Sequence, residues 1–352
     1  MENMTNNLWW PGCGYVNSTS DFDGGCGATC FDKGFMEKMS SFNKKHPGFQ
    51  VTYPSRAGTG HGGNDIETIG LTGWWLPADR GDARIVLQHG FKSNSNMERT
   101  MLYAYLLRSM GFSVLVNNLR DHCYSENSTA HVYEWGHAYP MDLLGAWDYA
   151  VNDPDGLLGG KLPPQKVGLQ GFSLGGFLTN IAFGLEAKVP AAWVEAPPFV
   201  PQTVFSHGLS KTLSGMGLGF LSSLLASPVW GSVQKAALAK GVDLEYHLPE
   251  KALPRGPDSK RPIFWAHNKL DDTVPFSEGQ KLIELLKSYP EKYEVKGSFV
   301  SDALCNGENH CMDMLRDPDG YSAKMCDFWT GVFGIESSAC GLDKEGPAIS
   351  SV

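Results

Sequence analysis

The sequence predicts an α/β fold, a mostly parallel central sheet with helices on both faces and a helical insertion late in the chain. Three observations predict it. Short apolar runs alternate with segments of helical apolar spacing from about residue 83 onward, the pattern of a parallel sheet with crossover helices. Hydrophobic residues make up 42% of 352 residues against 19% charged, enough to bury a full core. An apolar run, Lys166-Val167-Gly168-Leu169-Gln170, leads into Gly171-Phe172-Ser173-Leu174-Gly175 and then into a Gly-rich helical stretch, so a tight strand-to-helix turn stands mid-chain.

Residues 1–46 are rich in Gly, Asn, Ser and Cys and read as an extension packed onto a domain. The domain spans 47–335, followed by a tail over 336–352. Its first strands, Phe49–Tyr53 and Ile69–Leu76, read as an antiparallel pair. Strands over Ala83–Gln88 and Ser113–Asn117 then alternate with helices over Met97–Met110 and Met141–Val151. After the turn at Ser173 comes a helix through Phe177–Phe183. Strands follow over Ala191–Glu195, Pro262–Ala266 and Tyr293–Phe299, with a helix over Ser277–Leu286. The insertion covers about 198–252. Its helical runs, Leu218–Ala226 and Val233–Ala239, are too apolar and Gly-rich for a solvated connection, and the segment reads as a lid.

Net charge is −9 and no basic run occurs, which argues against a nucleic-acid partner. The longest mostly apolar stretch, Gly215–Trp230, is interrupted by Gly, Ser and Pro and falls short of the roughly 20 residues a membrane span needs. Met1–Asn7 carries an acid and amides where a secretory signal would be basic, so no signal peptide is expected in the chain as given and a cytoplasmic location is the default. Eight cysteines and three Asn-x-Ser/Thr sequons leave a secretory or luminal location open. Cys13, Cys26 and Cys30 have no following Cys or His pair at zinc spacing, so no metal is expected. Oligomeric state is not legible.

Ser173 is the candidate nucleophile. A serine hydroxyl needs a positioned base, and the base needs a group that holds its tautomer. The loop after the Pro262–Ala266 strand, His267-Asn268-Lys269-Leu270-Asp271-Asp272-Thr273-Val274-Pro275, offers Asp271 as orienting acid, with Asp272 as the alternative. His310, in a turn after the last strand and ahead of a helix, is the candidate base. Two backbone N–H groups must meet a developing oxyanion. Leu174 supplies one and Phe91, after His89-Gly90, the other. His89 reads as support for that loop, and the remaining histidines as surface or structural. Cys305 and Cys311 bracket His310, either as a bridge or as two buried thiols.

With His89-Gly90-Phe91, Leu119-Arg120-Asp121-His122, Gly171–Gly175, Asp271–Pro275 and His310 in this order, the chain resembles the α/β-hydrolase superfamily over about residues 47–335. It is similar to the single-chain esterase, monoacylglycerol-lipase-like and serine-aminopeptidase-like members. Two features depart from the pattern: Cys123 stands where a glycine is common, and the Cys-rich extension has no counterpart in the minimal fold. The resemblance implies a serine hydrolase without metal or organic cofactor. The apolar insertion points to esters with apolar acyl or aryl groups, a small-molecule or lipid-like substrate. Amide cleavage on the same residues, or a silent binding protein on the same fold, are the alternatives.

Overall fold

The computed structural model describes residues 47–78, 82–301, 309–311, 313–336 and 340. The extension over 1–46 and all of the tail except Glu336 and Cys340 lie outside them. Eight strands form one sheet: β1 (Phe49–Pro54), β4 (Gly70–Leu76), β5 (Arg84–Gln88), β6 (Ser113–Asn117), β7 (Val167–Phe172), β8 (Ala192–Glu195), β9 (Arg261–Asn268) and β10 (Tyr293–Ser301). A two-residue pair, β2 (Gly58–Thr59) and β3 (Asp65–Ile66), stands apart as a small antiparallel ribbon.

The spatial order is β1-β4-β6-β5-β7-β8-β9-β10. β1 and β4 pair antiparallel, with Val51 opposite Gly73, and β4 runs antiparallel to β6. From β6 to β10 every pairing is parallel. β5 through β9 read as continuous apolar runs because both faces of these strands are covered.

Helices α1 (Glu98–Ser109) and α7 (Pro318–Phe333) cover one face, where Met101, Leu107, Tyr321 and Trp329 pack with Ile85, Leu87 and Val116. Helices α2 (Tyr139–Asn152), α3 (Leu174–Leu185) and α6 (Phe276–Lys287) cover the other, where Leu143, Trp147, Phe177 and Leu282 meet Val86, Leu169 and Val194. The insertion between β8 and β9 holds α4 (Pro201–Gly215) and α5 (Ser222–Leu238). The helical runs expected over 218–226 and 233–239 merge from Ser222 onward into one helix, α5, with Pro228 inside it, after a 3-10 turn over Gly219–Leu221. The helix α4 has mixed polarity with glycines at both ends of its second half, which weakens its apolar period and hides it from pattern reading.

Two buried arginines at the first positions of β5 and β9 close the end of the sheet away from the serine turn. Arg84 donates to the carbonyls of Ala150, Leu158 and Gly160, and Arg261 to those of Phe183, Glu186 and Val189. Each guanidinium satisfies one carbonyl of a helix's last turn and two carbonyls of the loop beyond it. Cys326 and Cys340 form a disulfide that ties the middle of α7 to the chain beyond it. Cys311 is a buried thiol outside any disulfide, and Cys305, its expected bridge partner, lies outside the described residues.

Candidate functional site

Ser173 lies between β7 and α3 with φ 54° and ψ −126°, a backbone region that side-chain-bearing residues rarely occupy. The chain must reverse there within one residue, and the neighbours show why they are glycine. A Cβ on Gly171 would sit 2.3 Å from the Gly175 carbonyl oxygen, and one on Gly175 would sit 2.2 Å from the Gln88 carbonyl oxygen. The second clash matters more for the site, because it is the close approach of α3 to the end of β5 that brings the His89–Phe91 loop against the serine.

Gly90 is required by space. A Cβ there would meet the Ser173 Cβ at 3.2 Å and the Phe172 ring at 3.2 Å. The left-handed residue of this loop is not Gly90 but Lys92, at φ 52°. The Leu119 N–H donates to His89 Nε2 at 3.4 Å, which leaves the proton on Nδ1 to donate to the Gly90 carbonyl at 2.8 Å. In a trans peptide the carbonyl and the next N–H point oppositely, so holding the Gly90 oxygen turns the Phe91 N–H to the other side. Burial, and then the neighbouring His122 ring, push the His89 imidazole down to about 3, so it stays neutral in this role.

Asp271 and His310 meet. His310 Nδ1 is 2.7 Å from Asp271 Oδ2, while Oδ1 accepts the N–H groups of Thr273 at 2.9 Å and Val274 at 2.8 Å. His267 Nε2 donates to the Val274 carbonyl at 3.0 Å and lies 3.4 Å from Asp271 Oδ2. Burial alone would raise the Asp271 carboxyl, but attraction to His310 and hydrogen bonds from His267 and His310 outweigh it and hold the group well below the usual carboxylate range. Asp272 points elsewhere. Its carboxylate takes Lys211 Nζ at 2.9 Å and its carbonyl takes Lys211 and His207, both on α4.

The Ser173 turn and the His310 turn share an anchor in Glu195, at the end of β8. The Ser173 N–H donates to the Glu195 carbonyl at 2.8 Å. The Glu195 carboxyl, completely buried, touches the Tyr103 hydroxyl at 2.6 Å and the Tyr321 hydroxyl, and Tyr103 reaches the Cys311 carbonyl at 3.5 Å. Arg99 donates to the His310 carbonyl at 3.2 Å, and the Cys311 Sγ stands 3.5 Å from His310 Nε2. After Gly90, whose Cβ position abuts the serine, the loop turns into an aromatic wall. Phe91 lies 4.6 Å from Tyr133 and 6.0 Å from Trp135, ring to ring, and Trp135 meets Phe177 edge-on at 5.9 Å.

Sequence reasoning passed over three of these groups. His267 was read as a surface or structural histidine, although its place four residues before Asp271 at a strand end was a signal. Glu195 looks like an ordinary strand terminus, and the partners that bury it come from positions 103 and 321. Tyr133 and Trp135 sit in a segment without strand or helix period. Among the described residues no group of three or more His, Cys, Asp or Glu side chains is placed to hold a metal ion. Cys13, Cys26 and Cys30 lie outside them.

No family model matches the chain, and no curated protein matches it either. Solved structures do. The esterase Pf2001 of Pyrococcus furiosus is similar at a TM-score of 0.56 and 16% identity, over 84% of this chain and 93% of that one. The acylaminoacyl peptidase of Pyrococcus horikoshii is similar at 0.53 and 18%, over 81% of this chain but 42% of that longer one. An α/β hydrolase, GrgF, from Penicillium sp. is similar at 0.53 and 15%, over 82% of this chain and 100% of that one. Strand order, the turn at Ser173 and these likenesses together identify the chain's architecture as the α/β-hydrolase fold.

Proposed function

We propose that the protein is a serine hydrolase that cleaves carboxylic esters with apolar acyl or aryl groups through an acyl-enzyme on Ser173. The observation that carries this reading is the Asp271–His310 pair at 2.7 Å on a loop anchored, through Glu195, to the same point as the strained Ser173 turn. Asp271 accepts the Nδ1 proton and so leaves His310 Nε2 as the basic nitrogen. Nε2 takes the Ser173 hydroxyl proton as Oγ attacks the ester carbonyl, and the N–H groups of Phe91 and Leu174 stabilise the oxyanion. Collapse breaks the ester C–O bond, and the histidine returns its proton to the departing alcohol. Water, deprotonated by the same nitrogen, then releases the acid and restores Ser173.

No part of this sequence calls for a metal or organic cofactor. The wall of Phe91, Tyr133, Trp135 and Phe177 supports an apolar acyl or aryl group, because rings at these separations offer a face for such a group and little hydrogen bonding. Under this reading the α4–α5 insertion serves as the lid, fastened to the acid loop by Lys211 and His207. A nitrophenyl ester series of rising chain length, run beside aminoacyl anilides, tests the assignment. Turnover peaking above acetate supports it. Turnover confined to acetate removes the apolar acyl site, and faster cleavage of the anilides makes the protein an amidase.

A further inference from the structure

The tip of the α4–α5 hairpin exposes Met216, Leu218, Phe220, Leu224 and Leu225 within ten residues, with Met216, Phe220 and Leu224 at 68, 73 and 69% exposure. Elsewhere the exposed large apolar side chains, such as Phe49 and Leu157, are scattered singly along the chain. The hairpin's own packing does not use this row. Its underside is held by Phe205, 5.3 Å from Trp230 ring to ring, and by Ala237 against Val242 and Leu244. A contiguous apolar row left over once the packing face is filled marks a surface that meets something else.

Charge says what that something is. From Ala196 through Val242 there is no Asp or Glu, whereas Lys211, Lys235 and Lys240 are present, in a chain whose net charge is −9. The other polar positions of the two helices are largely serines. Carboxylates near anionic headgroups would be repelled and lysines drawn in, while an apolar tip inserts between acyl chains. We propose that the α4–α5 hairpin is a docking face for an anionic lipid surface. A second copy of the chain fits less well: Lys211 is paired with Asp272, but Lys235 and Lys240 meet no carboxylate anywhere on the facing hairpin. Lys211, near the C-terminal end of α4, bonds Asp272 next to Asp271 and so ties the hairpin to the acid loop.

Docking needs no turnover, so its test stands apart from the hydrolase reading. The full chain is sedimented with phosphatidylcholine vesicles and with phosphatidylcholine–phosphatidylserine vesicles, beside the F220S/L224S double variant and an L157S control. The proposal expects wild type and L157S to pellet with the mixed vesicles, weakening as salt rises, and the double variant to lose at least about tenfold in partitioning. Wild type remaining in solution with both vesicles overturns it, as does unchanged partitioning of the double variant. Equal binding to neutral vesicles overturns the anionic part. A dimer in sedimentation equilibrium that F220S/L224S disperses, without vesicle binding, assigns the face to a second copy instead.

Discussion

Replacing Glu195 by Gln should make the protein less stable in mild acid and more stable in mild base, with the two stability curves crossing. Burial, chiefly, with the Asp313 carboxylate beside it, pushes the Glu195 carboxyl up to about 8 from an ordinary 4.5, against the opposing pull of Tyr103, Tyr321 and Arg99. The Tyr103 and Tyr321 hydroxyls both donate to Glu195 Oε2, and Tyr321 accepts from Trp193 Nε1 in turn. Glu195 Oε1 has no partner, which a neutral carboxyl tolerates far better than a carboxylate.

The folded value is raised, so this group's contribution is fully present below about 4.5 and is lost as pH climbs to about 8. The span between the two values corresponds to a loss on the order of 5 kcal/mol across that window. Glutamine does not titrate. Its amide oxygen can accept from both hydroxyls, but its NH2 then stands buried where Oε1 finds no partner among the described residues, at a cost of about 1 kcal/mol. Urea unfolding of both proteins at steps from pH 4 to 9 reads the difference. E195Q should start below wild type by about 1 kcal/mol and end above it by a few. Parallel curves would refute the reasoning, because they would mean that Glu195 titrates alike folded and unfolded.

Other outcomes follow from the same geometry. Asp271→Asn should lower kcat by about three to four orders of magnitude with the fold retained, since the amide cannot hold the His310 tautomer. Asp272→Asn should cost less than about tenfold, because that side chain faces Lys211; steady-state kinetics with circular dichroism separates the two. Ser173→Gly should abolish turnover yet raise stability by an amount of order 1 kcal/mol in denaturant titration, the backbone strain at φ 54° exceeding the entropy glycine adds to the unfolded chain.

Much of the architecture is legible in the sequence because it follows from local physics. Parallel strands such as Ser113–Asn117 are buried on both faces and read as unbroken apolar runs, and the glycines around Ser173 announce a turn with no room for side chains. Asp271 and His310 are legible as candidates because each follows a strand, but their adjacency across 39 residues is a property of the assembled sheet. The choice between Asp271 and Asp272 hung on which way one loop turns, and that is set by the N–H groups of Thr273 and Val274 and by Lys211 on a helix absent from the sequence pattern. Glu195 stayed hidden for the same reason. Its burial depends on Tyr103 and Tyr321, which lie 92 and 126 residues away.

The most direct measurement is intact mass after exposure to a fluorophosphonate, with wild type beside Ser173→Ala. Phosphonylation needs an activated serine, a base and oxyanion donors, and makes no assumption about the substrate. A single adduct on wild type that is missing from Ser173→Ala is the predicted result. An adduct that persists in the variant, or none on folded wild type, would contradict Ser173 as the nucleophile.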